Sequence, residues 1–461
     1  MTGALKFRVA GALLLMLVGI PLLGAGLRAG VAQVDITPPP GLAMYGFFQR
    51  IKNNQLSTGT LDPLYARVLV LEVGKQRLAL VTLDLGRTFS QPLLDELRQA
   101  VSSRDGISDL IVTASHTHSG PNILDAYPGG QVPAWETADL QKIESAIGKA
   151  CHHLVAARLG TGYSRRRLYI GYNRRQVNAN GSVTMLWSDP NKTPTEPLDP
   201  TVSVLRVDRT NGKPLAILVG YACHPVVLGP DNLRYSADFP GVMIKTVEKA
   251  FAGGPICFFL QGAAGDINPY YATTPLNQNA IQKMDWTGEQ LGQEAARVAN
   301  AIHTQADSTP SIDFADDVMT FRSRWNPERF RAALIAKYGP KIFEDHADLF
   351  GANPPPDRLQ LHVTTLLINR RIAFVGMPGE PFVDFQIDWH KLCPAHDAFF
   401  LGYTNGYFDY FPTIHAASEG GYGAGDSDTY VEVGAGEQML RQAVIRVYEW
   451  LGRLHDVPET H

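Results

Sequence analysis

The sequence has little of several features that would place it in a simple class. Only four of its 461 residues are cysteines, and none of them forms a CxxC pair. This argues against a zinc ribbon, a thioredoxin-like redox site and a disulfide scaffold. The charges are nearly balanced, with 41 Lys and Arg against 45 Asp and Glu. The net charge of −4 excludes a disordered polyelectrolyte and gives no support for nucleic-acid binding, which favours a basic surface.

Long apolar runs are also scarce, with one exception near the N-terminus. Lys6 and Arg8 precede the run VAGALLLMLVGIPLLGAGL at residues 9–27, which is interrupted by Pro21. A basic region, an apolar region and small residues after it are typical of a secretory signal peptide. Because the run is long for that purpose, an uncleaved membrane anchor is the alternative. Both interpretations predict a protein that is secreted, periplasmic or anchored on the extracytoplasmic side, and a membrane surface is a possible partner.

Strand-like and helix-like segments alternate along the rest of the chain. Pairs of apolar runs around short turns predict β-hairpins at residues 64–85, 201–222 and 358–377. Further strands are predicted at 30–36, 109–115, 256–262 and 398–405. Amphipathic patterns predict helices at 90–104, 136–157, 239–252, 284–305, 327–337 and 436–454. The alternation favours an α/β fold with a mixed β-sheet flanked by helices.

No internal repeat or linker divides the sequence, so we expect one large domain. We predict that it covers residues 30–455, between a signal peptide or anchor at 1–29 and a short tail at 456–461.

Histidines follow two of the predicted strands. In SHTHSGP, residues 115–121, His116 and His118 point to the same face of an extended chain. Two imidazoles on one face suit a metal ligand and a neighbouring acid or base, although loop histidines often only form hydrogen bonds. In YACHPVVLG, residues 221–229, we prefer His224 as a ligand and Cys223 as a core residue, because they face opposite sides.

Other polar residues follow three more strands. Asp266 and Asn268 lie in QGAAGDINPYY, residues 261–271, which is either a turn or a loop that orients a ligand. Glu380 lies in GMPGEPF, residues 376–382, where its carboxylate is either a charge in the first turn of a helix or a metal ligand. The loop GYTNGYFDYFP, residues 402–412, carries three tyrosines, which either pack in the core or line a substrate site: Tyr403, Tyr407 and Tyr410.

Ligands of α/β sheets bind beyond the carboxyl ends of the strands, so these clusters are expected to meet. Two histidines and one glutamate form a known catalytic zinc set that leaves a position open for water. The residues alone therefore predict a metallohydrolase and leave its substrate open.

The order of these motifs resembles the neutral/alkaline non-lysosomal ceramidase family. The motifs are VDITPP (34–39), SHTHSGP, ACHP, SADFPG (236–241), GDINP (265–269), PGEPF and TNGYFDY, and they extend over residues 30–450. The resemblance implies a zinc amidase that cleaves the N-acyl bond of a ceramide-like lipid to a fatty acid and a sphingoid base.

The resemblance also implies roles for individual residues. The implied zinc ligands are His116, His224, Glu380 and Tyr410. His118 matches a catalytic histidine beside the metal and is expected to carry a proton to the leaving amine. Arg174, in YNRR (172–175), matches an arginine that contacts substrate. We expect Asp238 or Asp266 to fix the tautomer of a ligand histidine.

Two departures from the family bear on the substrate. The family carries a catalytic serine in GDxSP, where this chain has Asn268. An amide cannot be a nucleophile, although it can donate a hydrogen bond to an oxyanion together with Arg174 or Tyr410. The family also has a C-terminal immunoglobulin-like domain, and this chain ends after the last predicted helix. Two alternatives to a ceramide-like amidase follow: a zinc hydrolase of another amide or ester, or a catalytically inactive binding protein anchored in the envelope.

Overall fold

The computed structural model describes residues 26–345, 356–425 and 427–454. Most of the predicted signal or anchor segment, residues 1–25, and the predicted tail at 456–461 lie outside the described residues. Within the described ranges, no helix is both long enough and apolar enough to cross a membrane.

The strands run in chain order as β1 Arg28–Asp35, β2 Gly59–Thr60, β3 Tyr65–Val73, β4 Gln76–Leu83, β5 Asp109–Ala114, β6 Val155–Tyr163, β7 Gly171–Asn173, β8 Arg175–Val177, β9 Val183–Met185, β10 Ser203–Arg209, β11 Pro214–Tyr221, β12 Arg234–Tyr235, β13 Ile256–Gln261, β14 Ile267–Pro269, β15 Ile312–Arg322, β16 Arg358–Ile368, β17 Ile372–Gly376, β18 Glu380–Pro381, β19 Asp397–Leu401 and β20 Tyr410–Phe411. The helices are α1 Phe48–Lys52, α2 Gln91–Asp105, α3 Ala134–His152, α4 Phe239–Lys249, α5 Ala280–Ala301, α6 Pro327–Tyr338, α7 Pro340–Asp345, α8 Val383–Leu392, α9 Ile414–Glu419 and α10 Ala435–Trp450.

Two mixed sheets form the centre of the fold. The larger has eight strands in the order β13-β11-β10-β6-β1-β3-β4-β5, and the smaller has the order β15-β16-β17-β19. Both outer pairs of the large sheet are parallel, β11 with β13 and β4 with β5, and one outer pair of the small sheet is parallel, β17 with β19. The other pairs of these two sheets are antiparallel.

Four layers follow from the alternation of buried side chains along these strands. One face of the large sheet packs against α2 and α3 and, further along, against α4 and α5. Its other face packs against the small sheet, where Leu218 and Phe258 belong to one core with Leu366 and Phe374. The outer face of the small sheet is covered by α8 and α10. The predicted α/β class with a mixed sheet flanked by helices is therefore confirmed, although two mixed sheets rather than one form its centre.

The predicted hairpins are confirmed as β3–β4, β10–β11 and β16–β17. The helix predicted at 136–157 is wrong at its end, because α3 stops at His152 and residues 155–163 form β6. Pairing of β6 with β10 over seven residues outweighs the local helical pattern there. The sequence also failed to predict β15, an edge strand whose acidic side chains obscure its alternation.

Candidate metal centre

Loops that follow strands of both sheets carry the predicted site residues. His116 and His118 follow β5, His224 follows β11, and Glu380 follows β17. Glu380 and Tyr410 are then paired directly across the two-stranded parallel sheet β18–β20. The expectation that the clusters lie together at strand ends is thus confirmed.

Gln261, the last residue of β13, ties three of these strand ends together. Its buried amide nitrogen donates to the carbonyls of Ser115 and Cys223, each at 2.9 Å, and its oxygen accepts from the Cys223 amide at 3.2 Å. A fully paired amide of this kind fixes loops more firmly than apolar packing alone. Cys223 lies in the core as predicted.

The three histidines converge. The candidate ligand atoms of His116, His118 and His224 lie within 4.8 Å of one another. The Nε2 atoms of His116 and His224 are 3.3 and 3.1 Å from the same oxygen, Oε2 of Glu380. His116 has φ 68°, a left-handed conformation that is uncommon for residues other than glycine and is concentrated at functional sites.

Backbone carbonyls fix the orientation of both ligand candidates. Nδ1 of His116 is 2.7 Å from the Gly86 carbonyl oxygen, and Nδ1 of His224 is 3.1 Å from that of Ile267. The predicted partners Asp238 and Asp266 are wrong, because their oxygens accept hydrogen bonds elsewhere. They bond to backbone amides, and Asp266 also to the Asn173 side chain.

These contacts test whether the residues fit a metal ion. Burial, together with the charge of Arg174, lowers the pKa of His224 to about 4, so its ring is neutral at pH 7. A neutral imidazole has one N–H, and when Nδ1 donates to a carbonyl, Nε2 presents a lone pair. The Nε2 lone pair of His224 then faces a carboxylate oxygen, which is repulsive unless a cation lies between them. The three histidine nitrogens and the Glu380 oxygen are therefore a donor set that fits a metal ion.

Glu380 is an anion in this environment. Burial alone would raise the pKa of its carboxyl, but the adjacent rings of His116 and His224 outweigh burial and hold the pKa well below its usual range. Its second oxygen, Oε1, accepts a hydrogen bond from the Tyr407 hydroxyl, which in turn accepts one from the Tyr45 hydroxyl at 2.7 Å.

His118 lies at the partly exposed side of the cluster, with Nε2 3.3 Å from Nε2 of His116. Its Nδ1 is buried and has no hydrogen-bond partner in the described ranges. Burial and the neighbouring His116 and His224 hold the pKa of His118 well below 6.5, so the ring is neutral at pH 7. Arg50, itself buried, donates to the His118 carbonyl at 2.6 Å and fixes this loop.

Arg174, Tyr410 and Asn268 form a second group beside the ligands. The Arg174 guanidinium donates to the Tyr410 hydroxyl at 2.9 Å and to the Gly265 carbonyl at 2.6 Å. It also lies 3.5 Å from Oδ1 of Asn268, a long contact. Burial raises the pKa of Tyr410 well above 10, so its hydroxyl is protonated in the absence of a metal. All three side chains are buried.

Sequence reasoning singled out Tyr407 only as an aromatic loop residue and overlooked Tyr45 and Arg50. Tyr45 and Arg50 carry no motif of their own, because they reach the site through contacts between distant parts of the chain. The spacing of the tyrosines did locate the loop that contains Tyr407.

Comparisons with known proteins identify the family and the fold. The family model described as "Neutral/alkaline non-lysosomal ceramidase, N-terminal" matches residues 27–287, more than half of the chain. That range includes His116, His118 and His224, whereas Glu380 and Tyr410 follow it.

Two solved structures share the fold. The neutral ceramidase from Pseudomonas aeruginosa superimposes with a TM-score of 0.71 at 19% identity, over 95% of this chain and 76% of that one. A ceramidase complexed with C2 gives a TM-score of 0.71 at 18% identity, over 95% of this chain and 77% of that one. The chain belongs to the neutral/alkaline non-lysosomal ceramidase family.

Proposed function

We propose that the protein is a zinc-dependent amidohydrolase that cleaves the N-acyl amide bond of a ceramide-like lipid, giving a fatty acid and a sphingoid base. The observation that carries the proposal is the convergence of His116 and His224 on one oxygen of Glu380, with both Nδ1 atoms bound to carbonyls. Two imidazoles and a carboxylate form a donor set that zinc favours in hydrolases.

The ion would be held by His116, His224 and Glu380, with Tyr410 on or beside it. Zinc in such a set supplies a Lewis acid that polarises a carbonyl and lowers the pKa of water toward neutrality. The orientation of the ligands comes from the chain itself, through the Gly86 and Ile267 carbonyls.

His118 is the proposed proton carrier. Its neutral ring borders the ligands and is partly exposed, so it can accept the proton of the attacking water and pass it to the leaving amine. Arg174 and Asn268 stabilise the negative charge that develops on the carbonyl oxygen. A cation and an amide held in a buried site need little reorganisation during the reaction.

The direct test is hydrolysis of a fluorogenic N-acylsphingosine by the purified protein, with metal stripped and with zinc restored. We expect activity that depends on zinc, and loss of both zinc and activity in Glu380→Ala. Glu96→Ala, a change on α2 outside the site, is the matched control and should leave both unchanged. A Glu380→Ala protein that kept full zinc and full activity would refute the ligand assignment.

Asn268 favours a second candidate, a binding protein that keeps the pocket without turnover, because the family's serine is missing. Zinc bound at one per chain, with no hydrolysis of any amide or ester tested, would support that candidate. Turnover of other amides or esters but not of N-acylsphingosine would keep the zinc hydrolase and discard the ceramide-like substrate.

We also propose that the protein acts outside the cytoplasm, secreted, periplasmic or anchored. The basic residues and apolar run at the N-terminus support this location. Fractionation of cells that express the full chain, with N-terminal sequencing of the product, would test it.

A further inference from the structure

Tyr403 is held in an unusual conformation beside the metal centre. It follows β19 and is fully buried, with φ 54°. Bulky side chains rarely adopt this left-handed region, and they do so where the surroundings impose it. The surroundings here are β5 and β13, because the Ala114 amide donates to the Tyr403 carbonyl at 3.1 Å and the preceding Gly402 amide donates to the Gln261 carbonyl at 2.9 Å.

The ring of Tyr403 stacks on a ligand histidine. Its centroid lies 4.2 Å from that of His116, with 25° between the planes. Since Nδ1 of His116 is bound to the Gly86 carbonyl, the stacked pair has a fixed orientation. The left-handed backbone conformation of Tyr403 therefore holds its ring against the metal centre.

The Tyr403 hydroxyl is buried and has no hydrogen-bond partner among the described residues. Buried phenols normally have one. The neighbouring phenols are already engaged: Tyr45 donates to Tyr407, Tyr407 donates to Glu380, and Tyr410 accepts from Arg174. Tyr403 is the hydroxyl of this group that is left for a ligand.

The stacking on His116 places this unpartnered hydroxyl in the same buried cluster as the candidate ligands. A phenol O–H is a hydrogen-bond donor. A hydrogen bond to the reacting carbonyl oxygen is the contribution that amide hydrolysis needs beside a proton carrier.

We propose that Tyr403 is a further catalytic residue, whose hydroxyl donates a hydrogen bond to the carbonyl oxygen of the N-acyl substrate and a stronger one to the tetrahedral oxyanion. This inference rests on the proposed function and adds a substrate-contacting residue to it. No covalent step is assigned to the phenol, which keeps its proton throughout.

The test is Tyr403→Phe, which keeps the ring stacked on His116 and removes only the hydroxyl. Loss of one oxyanion donor typically lowers kcat by about 100-fold or more. We expect that loss in kcat with KM changed less than about twofold, and with zinc content and affinity unchanged. Tyr163→Phe is the matched control, since its hydroxyl accepts a hydrogen bond from the Ala398 amide outside the site. Its kcat should stay at the wild-type value.

A binding measurement separates this inference from the proposed function. A phosphonate with an N-acyl-like chain mimics the tetrahedral oxyanion, and its affinity can be measured by calorimetry without turnover. Tyr403→Phe should weaken phosphonate binding by about the same factor as kcat. If the wild type hydrolyses no amide or ester, the proposed function fails, and a loss of phosphonate affinity in Tyr403→Phe still supports the donor role. Three results would overturn the donor role of Tyr403: wild-type phosphonate affinity in Tyr403→Phe, no phosphonate binding by the wild type, or loss of zinc from Tyr403→Phe together with the loss of kcat.

Discussion

Replacing Tyr407 by phenylalanine should weaken metal binding, because it removes one hydrogen bond to the proposed ligand Glu380 and leaves the proposed ligands themselves unchanged. The Tyr407 hydroxyl donates to Oε1 of Glu380 and accepts from the Tyr45 hydroxyl. Removing it leaves Oε1 without a hydrogen-bond partner in the described part of the chain, and Tyr45 without an acceptor. The ring itself can stay in place, packed 4.7 Å from the Arg87 guanidinium.

The magnitude follows from burial. Glu380 is 3% exposed and Tyr407 is 9% exposed, so water does not replace the lost donor easily. A buried hydrogen bond to a charged group contributes about 1.5–3 kcal/mol. Residues that orient a metal ligand typically change metal affinity by about 10- to 100-fold when they are removed. We therefore expect a loss of zinc affinity of about 10- to 100-fold in Tyr407→Phe.

Competition with a chromophoric chelator measures this affinity, and atomic emission gives the zinc content per chain. Tyr410→Phe is the informative comparison, because the Tyr410 hydroxyl contacts Arg174 rather than Glu380. If Tyr410 is a zinc ligand, as the family resemblance implies, its loss also lowers affinity. If it only positions Arg174, affinity is retained and kcat falls. Wild-type zinc affinity in Tyr407→Phe would refute the orienting role of the hydroxyl.

Two further changes test the surroundings of the site. In Gly46→Ala, the added Cβ would lie 2.3 Å from the His118 ring, so we expect His118 to be displaced and kcat to fall about tenfold or more while zinc is retained. Gly41→Ala is the control, because Gly41 has φ 95°, close to the 96° of Gly46, but open space around it, so the variant shares the backbone strain without the clash. Equal losses of kcat in the two variants would contradict the reasoning. Burial raises the pKa of Glu136 to about 8 in the folded state, above roughly 4.3 in an unfolded chain, so its stability contribution is full below about pH 4.3 and is lost as pH rises through 8. The free energy of unfolding of the wild type should therefore fall between pH 5 and 8, by up to about 1 kcal/mol per pH unit with solvent screening, and Glu136→Gln should reduce that fall. Urea unfolding at several pH values measures it, and the same pH dependence in wild type and variant would contradict the role of Glu136.

Local patterns were sufficient for the hairpins and for the histidines. The turn at Gly74-Lys75 lies between two strands whose side chains alternate, so β3 and β4 were predictable to within two residues. The placement of His116 and His118 after β5 followed from the same pattern. The geometry that brings the two rings together was not predictable, because His116 leaves the extended conformation with φ 68°.

The partners of the ligand histidines were beyond sequence reasoning for a physical reason. Carboxylates such as Asp238 and Asp266 are the residues that a sequence offers as orienting groups. The structure uses the carbonyls of Gly86 and Ile267 instead, and any residue type has a carbonyl. Strand β15 escaped prediction similarly, since an edge strand with half-buried acidic residues lacks a clear apolar face.

The GDINP segment shows why asparagine can replace the family's serine without disturbing the metal centre. Its contacts to the site run mainly through main-chain oxygens: Ile267 O accepts from both the amide and the ring of His224, and Gly265 O and Asp266 O accept from Arg174. Such contacts are insensitive to the side chain at position 268. The main chain of this segment therefore holds the ligand candidate His224 whatever side chain stands at position 268. A change in activity at Asn268 then reports on the chemistry of that side chain, including its long contact with Arg174.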